Sequence, residues 1–291
     1  MPTDHIGPIK RVTWSGLFVN VLLAALKFVV GFMGASQAVI ADAFHSLSDM
    51  ATDFSIIVGV RYWSAPPDED HPYGHRKIEA IITVLIGLAL LFVALGLGYK
   101  ALTTIHLPHL RQTAWIALAG PVISIILKEI LYRWTIVVGT RARSPAVVAN
   151  AWHHRSDALS SVPAVIAVAA AAMNPAWAFV DQIGALLISL FILKVSWDIL
   201  QPPLAELSDR GASLKDRIRI REIAMNVDGV RDVHAIRTRK CGESLYVDLH
   251  VLVAPELSVR SGHDISEKVK EGLLNSGPGI VDVVAHLEPD E

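Results

Sequence analysis

Residues 80–99 read AIITVLIGLALLFVALGLGY, twenty consecutive positions without a charged side chain. A helix needs about 20 mostly apolar residues to cross a bilayer, so this stretch places the chain in a membrane. Working outward from it, apolar runs of comparable length cover residues 12–33, 38–60, 113–137, 146–172 and 178–200, and the run 158–180 is again uncharged. Six spans are expected, making a transmembrane domain of residues 1–206. The remaining residues, 207–291, read differently. They carry 27 charged side chains in 85 positions, the same number that the first 206 positions carry. Over all 291 residues only 19% are charged and 52% are hydrophobic, with a mean hydropathy of +0.44. Soluble domains average roughly 25% charged residues, so one soluble globule is excluded. Disorder, a nucleic-acid binder and a disulfide scaffold are excluded as well, because the net charge is −2 and the single cysteine, Cys241, has no partner.

Met1–Lys10 is polar and the apolar run after it is long, so no cleavable leader is expected. Six spans put both termini on one side. Lys10, Arg11, Arg61, Arg76, Lys77, Arg141 and Arg143 fall on that side and only Lys100 and Arg111 on the other. The bias of basic residues then predicts both termini in the cytoplasm. Beyond the spans, Leu214–Val227 and Ser261–Leu274 have helical periodicity, whereas Val233–Thr238, Leu245–Val253 and Ile280–Leu287 read as strands. The order αββαβ predicts a small α+β, ferredoxin-like domain over residues 207–291.

Ionisable residues inside spans are costly and mark ion paths. His45 and Asp49 in the second span stand at i, i+4 and so share a helix face; His153 and Asp157 repeat that spacing in the fifth. Two imidazoles and two carboxylates make a full tetrahedral set for Zn2+. The alternative is that each histidine simply bonds its own aspartate. His154 points elsewhere and is read as a non-ligand. Asn20, Lys27, Lys128, Glu129 and Lys194 are further polar groups within the spans and receive no role. Between spans two and three, Asp68, His71 and His75 form a compact carboxylate-plus-imidazole set in a loop kept from helix by Pro72 and Gly74. A solvated acidic loop is the competing reading. In the last domain, His234, His250, His263 and His286 accompany Asp248 and Glu288, and spacing alone leaves open whether they meet.

The stretches ADAFHSLSD at 41–49, DEDHPYGHRKIE at 68–79, AWHHRSD at 151–157 and LSDRG at 207–211 together resemble the cation diffusion facilitator family over nearly the whole chain. The resemblance implies a homodimeric, proton-coupled exporter of divalent metal cations in a bacterial plasma membrane, and no enzyme. It assigns the transport site to His45, Asp49, His153 and Asp157, and a loop site to Asp68, His71 and His75. It implies a regulatory cytoplasmic site from His234, His250, His263, His286 and Glu288, with Glu288 where zinc-transporting relatives place Asp. Lys77 and Asp209 match a charge interlock that helps hold the dimer. Several bacterial relatives place Asp where His45 stands; the two-His, two-Asp set resembles the zinc-selective branch. Imidazole suits Zn2+ and extra carboxylates suit harder ions. Zn2+ is therefore expected both as substrate and as regulatory ligand, with Cd2+, Co2+ or Fe2+ as co-substrates. A non-transporting metal sensor or partner subunit is the alternative. A metalloenzyme is disfavoured, since no HExxH-type spacing occurs.

Overall fold

The structure, a computed structural model, describes residues 6–63, 65–106, 113–142, 144–242 and 244–290. Within these, the side chains of residues 6–10, 49, 51–61, 145 and 146 lie outside the description. The chain forms two compact units. One comprises residues up to Ile57 together with Leu85–Ile199, and the other comprises Val58–Val84 together with the chain from Leu200 onward.

The first unit is helical. Its helices are α1 (Ile6–Met33), α2 (Gln37–Trp63, to Ile57 in this unit), α3 (Lys77–Thr104, from Leu85), α4 (Ala119–Arg141), α5 (Pro145–Ser160), α6 (Val162–Met173) and α7 (Phe179–Leu207, to Ile199). Among the described residues, five stretches are long and apolar enough to cross a membrane: Arg11–Met33, Lys77–Thr104, Trp115–Arg141, Val147–Met173 and Pro175–Leu207. Lipid offers no hydrophobic drive between helices, so their association rests on close packing of small residues. Ala38, Ala41, Ala94, Ala101, Ala164, Ala167 and Ala185 form such a seam. Gly34 shows the tolerance: a Cβ there would lie 2.6 Å from that of Ala117. Large apolar side chains such as Phe18, Phe32, Leu85 and Phe92 face outward, where hydrocarbon is their solvent.

Two local features position polar groups inside this unit. Ser36 caps α2 by accepting from Val39 N at 3.1 Å, and the Asp181 carboxylate receives Ser36 Oγ and Gln37 N at 2.6 Å each. A carboxylate at a helix N-terminus also meets the positive end of the helix dipole. Ser161 stands between α5 and α6, two residues before Pro163, which has no N–H to give to the preceding turn. Its hydroxyl turns into the bundle and donates to Asp42 at 3.0 Å.

The second unit contains the αββαβ domain that the hydrophobic pattern predicts: α8 (Leu214–Met225), β1 (Asp232–Cys241), β2 (Ser244–Val253), α9 (Val259–Ser276) and β3 (Ile280–Pro289). The sheet order is β1-β2-β3, antiparallel then parallel. Gly242, at φ +60°, permits the tight β1–β2 turn. Alternate β2 residues Leu245, Val247, Leu249, Val251 and Val253 pack on Ile220 and Ala224 of α8 and Ile265, Val269 and Leu273 of α9. One sheet face is thereby covered by helices. The other, carrying Tyr246, Asp248 and His250, stays open.

Candidate metal sites

Strand register builds the first site. His234 of β1 pairs with His250 of β2, which pairs with His286 of β3, so three histidines cross the open face in one row. Side chains opposite one another on a face lie within contact reach. The ring centroids here are 5.2 and 4.9 Å apart. A bulge between His234 and Arg237 lets Val233 and Ile236 both face the core while His234 keeps its place in the row. Glu288, two residues beyond His286, joins the same face. Its Oε1 lies 2.7 Å from His250 Nδ1 and 3.7 Å from His286 Nε2, and its Oε2 lies 3.2 Å from His234 Nε2. His234, His250 and Glu288 each offer a ligand atom within 4.8 Å of the others. Zinc bonds near 2.1 Å set tetrahedral ligands about 3.4 Å apart, so side-chain adjustments of about an ångström would fit this set around an ion, with His286 beside it. His263 is not in the group. It is exposed on α9, in the helical layer, and the sheet stands between it and the histidine row.

The loop before α3 forms the second site. His71 N donates to Asp68 Oδ1 at 2.6 Å, and Asp68 N donates to His71 O at 3.2 Å, closing a tight turn. Gly74, at φ +81°, then brings His75 back over it. His71 Nδ1 lies 3.2 Å from Asp68 Oδ1 and His75 Nε2 lies 3.3 Å from Oδ2, with the two rings 4.2 Å apart. The His71 backbone N–H, helped by the two imidazoles, holds the Asp68 carboxyl below the usual carboxylate range. Three donors thus converge on one small volume. The loop is tied to the domain beside it: Tyr246 Oη donates to Tyr73 O at 3.2 Å, the Arg239 guanidinium stacks 4.4 Å from the Tyr73 ring, and Arg76 donates to Ser244 Oγ. Lys77 Nζ meets Asp209 Oδ1 at 2.9 Å, which depresses the Asp209 carboxyl.

The third group lies in the helical unit. His45 is buried on α2, edge-on to the Phe191 ring at 5.0 Å. Asp157 is buried on α5, and His153, half exposed, places Nδ1 3.6 Å from Asp157 Oδ1. The charges that bear on His45 are those of Asp42, Asp157, Lys128 and Lys27. Asp49 lies one helical turn beyond His45, and its side chain falls outside the described residues. Among the described residues, His45, His153 and Asp157 do not converge into a three-ligand group. Asp157 Oδ2 instead receives Lys128 Nζ at 2.8 Å. His154 is buried, 3.5 Å from the amide of Asn150.

Two groups that receive no role from sequence pattern hold central places here. Lys27, fully buried on α1, bridges Asp42 at 2.9 Å, Ser46 at 2.9 Å and Ser161 at 2.9 Å. Lys128 holds Asp157. The signal for both is a basic residue deep in an apolar run, which is costly unless a carboxylate meets it.

An apolar helical unit with carboxylates buried among its spans, joined to a histidine-faced αββαβ domain, defines a multi-pass membrane protein built to handle metal cations. Residues 13–208 match the cation efflux transmembrane domain family, and residues 213–290 match the cytoplasmic domain of cation efflux proteins. The chain belongs to this family, the cation diffusion facilitators, whose members are metal-cation efflux transporters. It is 37% identical over 254 residues to the uncharacterized transporter MJ0449 of Methanocaldococcus jannaschii, covering 87% of this chain and 89% of that one. It is 28% identical to the manganese efflux system protein MneP of Bacillus subtilis, over 96% of each chain. A solved MamM-CTD variant is 31% identical over 26% of this chain and 96% of its own, with a TM-score of 0.26.

Proposed function

We propose that the protein is a homodimeric, proton-coupled exporter of divalent metal cations, with Zn2+ as its main substrate. The observation that carries this reading is the second His/Asp turn, with Asp157 buried in the helical unit and His153 Nδ1 3.6 Å from its Oδ1, while His45 of the first turn is likewise buried. His45, Asp49, His153 and Asp157 form the transport site within six spans of a domain covering residues 1–206, and both termini lie in the cytoplasm of a bacterial cell. Ligands must be deprotonated to hold a metal, and free histidine titrates near pH 6.5, so arrival of Zn2+ expels protons and protonation from outside expels Zn2+. Asp68, His71 and His75 form an entry-side loop site. The domain of residues 207–291 senses metal through His234, His250, His286 and Glu288, with His263 contributing outside that row. An ion bound there biases the conformational equilibrium by its difference in affinity between the two states. Lys77 and Asp209 interlock the unit that carries the loop.

Reconstitution in liposomes tests this. Zn2+ flux that follows an imposed pH gradient and disappears in Asp157→Ala is expected; unaltered flux in that variant removes the site assignment. Protein that binds Zn2+ and moves none is a sensor or partner subunit. Manganese is the second reading, favoured by the relative named as a manganese efflux protein. Competition among Zn2+, Mn2+, Cd2+, Co2+ and Fe2+ decides between them. Two imidazoles predict the order with Zn2+ first, because nitrogen donors favour it over the harder Mn2+.

A further inference from the structure

The helical unit holds two buried lysine–carboxylate pairs, and they are built differently. Lys27 is held three ways, by Asp42, Ser46 and Ser161, at 2.9 Å each. Lys128 is held by Asp157: among the described residues, that carboxylate is its one acceptor, at 2.8 Å, with both side chains 5% exposed or less. Lys27 is a structural tie across α1, α2 and the α5–α6 junction. Lys128 rests on Oδ2 of the carboxylate that the transport reading assigns to the metal, and the other oxygen, Oδ1, faces His153 at 3.6 Å.

An ion bound to Asp157 would sit about 2.0–2.2 Å from a carboxylate oxygen. An ammonium 2.8 Å from that carboxylate is then a like charge a few ångströms away in a poorly screened interior, where repulsion is strong. The two cations compete for one carboxylate. Without either, Asp157 would be a bare buried anion, which low-dielectric surroundings penalise heavily. We propose that Lys128 is the tethered counter-cation of the transport site: it neutralises Asp157 in the empty carrier, is displaced by the arriving divalent ion, and returns when that ion leaves. The proposal rests on the transport reading above. It makes Lys128 a determinant of affinity and of the empty carrier's return, with no change in its own protonation.

The consequence is a split between two rates. Removing the ammonium takes away the competitor, so metal binds more tightly. It also leaves the empty site with an uncompensated carboxylate, which slows the return of the unloaded carrier. Metal-for-metal exchange never passes through the empty return, so exchange should survive.

The experiment uses the full chain in liposomes with radiolabelled Zn2+, comparing wild type with Lys128→Gln and Lys128→Met. Net flux in both variants should show a KM lowered about tenfold and a maximal rate lowered about tenfold. Zn2+–Zn2+ exchange should remain within about twofold of wild type. Unchanged KM overturns the proposal. Loss of exchange together with net flux in both variants assigns Lys128 to folding and overturns it too. Wild type showing neither flux nor exchange overturns the transport reading and this proposal with it, whereas active wild type beside indifferent variants overturns this proposal alone.

Discussion

Asp157 of the helical unit and Glu288 of the sheet are both carboxylates facing imidazoles, and they are satisfied in opposite ways. Glu288 lies partly exposed among His234, His250 and His286, with no lysine or arginine paired to it among the described residues. Asp157 is buried and paired with Lys128 at 2.8 Å. Water screens Glu288 and lets it wait for an ion at little cost, whereas lipid-side burial obliges Asp157 to carry a partner at all times. The same side-chain chemistry is therefore open to water in one region and internally compensated in the other.

The largest expected effect follows from that contrast. Asp157→Asn strands the Lys128 ammonium and should destabilise the detergent-solubilised protein by about 3–5 kcal/mol. Adding Lys128→Met should restore most of that stability without restoring transport. Glu288→Ala, by comparison, should shift stability by no more than about 0.5 kcal/mol. Thermal unfolding of the three variants reads all of this, and equal losses for Asp157→Asn and Glu288→Ala would erase the distinction between the two regions. Lys27→Met belongs with the first class, because it leaves Asp42 buried without its cation.

Metal affinity of the sheet site is the next effect in size. Glu288 spans three histidines, so Glu288→Ala should weaken Zn2+ binding there by at least the roughly 10–100-fold that even supporting groups contribute at metal sites. Calorimetry on the full chain, in an Asp68→Ala, Asp157→Asn, Lys128→Met background, isolates that site. His250→Ala, at the centre of the row, should follow it closely. His263→Ala should have a visibly smaller effect, since His263 lies in the helical layer on the far side of the sheet. If His263→Ala matches His250→Ala, the row does not act as the binding unit within one chain.

The two regions also differ in how far local pattern alone reveals them. The uncharged run 80–99 and the alternation of Leu245–Val253 carry their fold in sequence, because span length and strand period are properties of the chain alone. The αββαβ order follows from the same patterns. The histidine row does not, since it depends on sheet order, on the register pairing His250 with both His234 and His286, and on the bulge after His234. Grouping His263 with them by sequence could not see that it stands in a different layer. The Lys128–Asp157 pair is hidden for a similar reason. Helical spacing says which residues share a face of one helix and says nothing about which faces of α4 and α5 meet across 29 positions. The loop is the legible case, since Asp68, His71 and His75 lie close enough in sequence for a turn to gather them.

The smallest effect belongs to the Lys77–Asp209 pair, and it sharpens the comparison from the solvated end. Both side chains are about half exposed, so the pair is screened by water and salt where Lys128–Asp157 is not. At neutral pH, Asp209→Asn should move the unfolding midpoint only slightly. The Lys77 hydrogen bond and charge hold the Asp209 carboxyl below its ordinary value. Its contribution is then present above the unfolded carboxyl value, near 3.9, and is lost as pH falls through the lower folded one. Wild type and Asp209→Asn should therefore differ most at low ionic strength near neutral pH, and their unfolding curves should converge as pH drops below about 3.9. No difference between the two at low ionic strength would mean that Asp209 acts through its backbone. Its φ of +54° makes that a concrete alternative, because asparagine tolerates the left-handed region as well as aspartate does. Asp209→Ala would then be the more damaging change, and the ranking of those two variants separates charge from conformation.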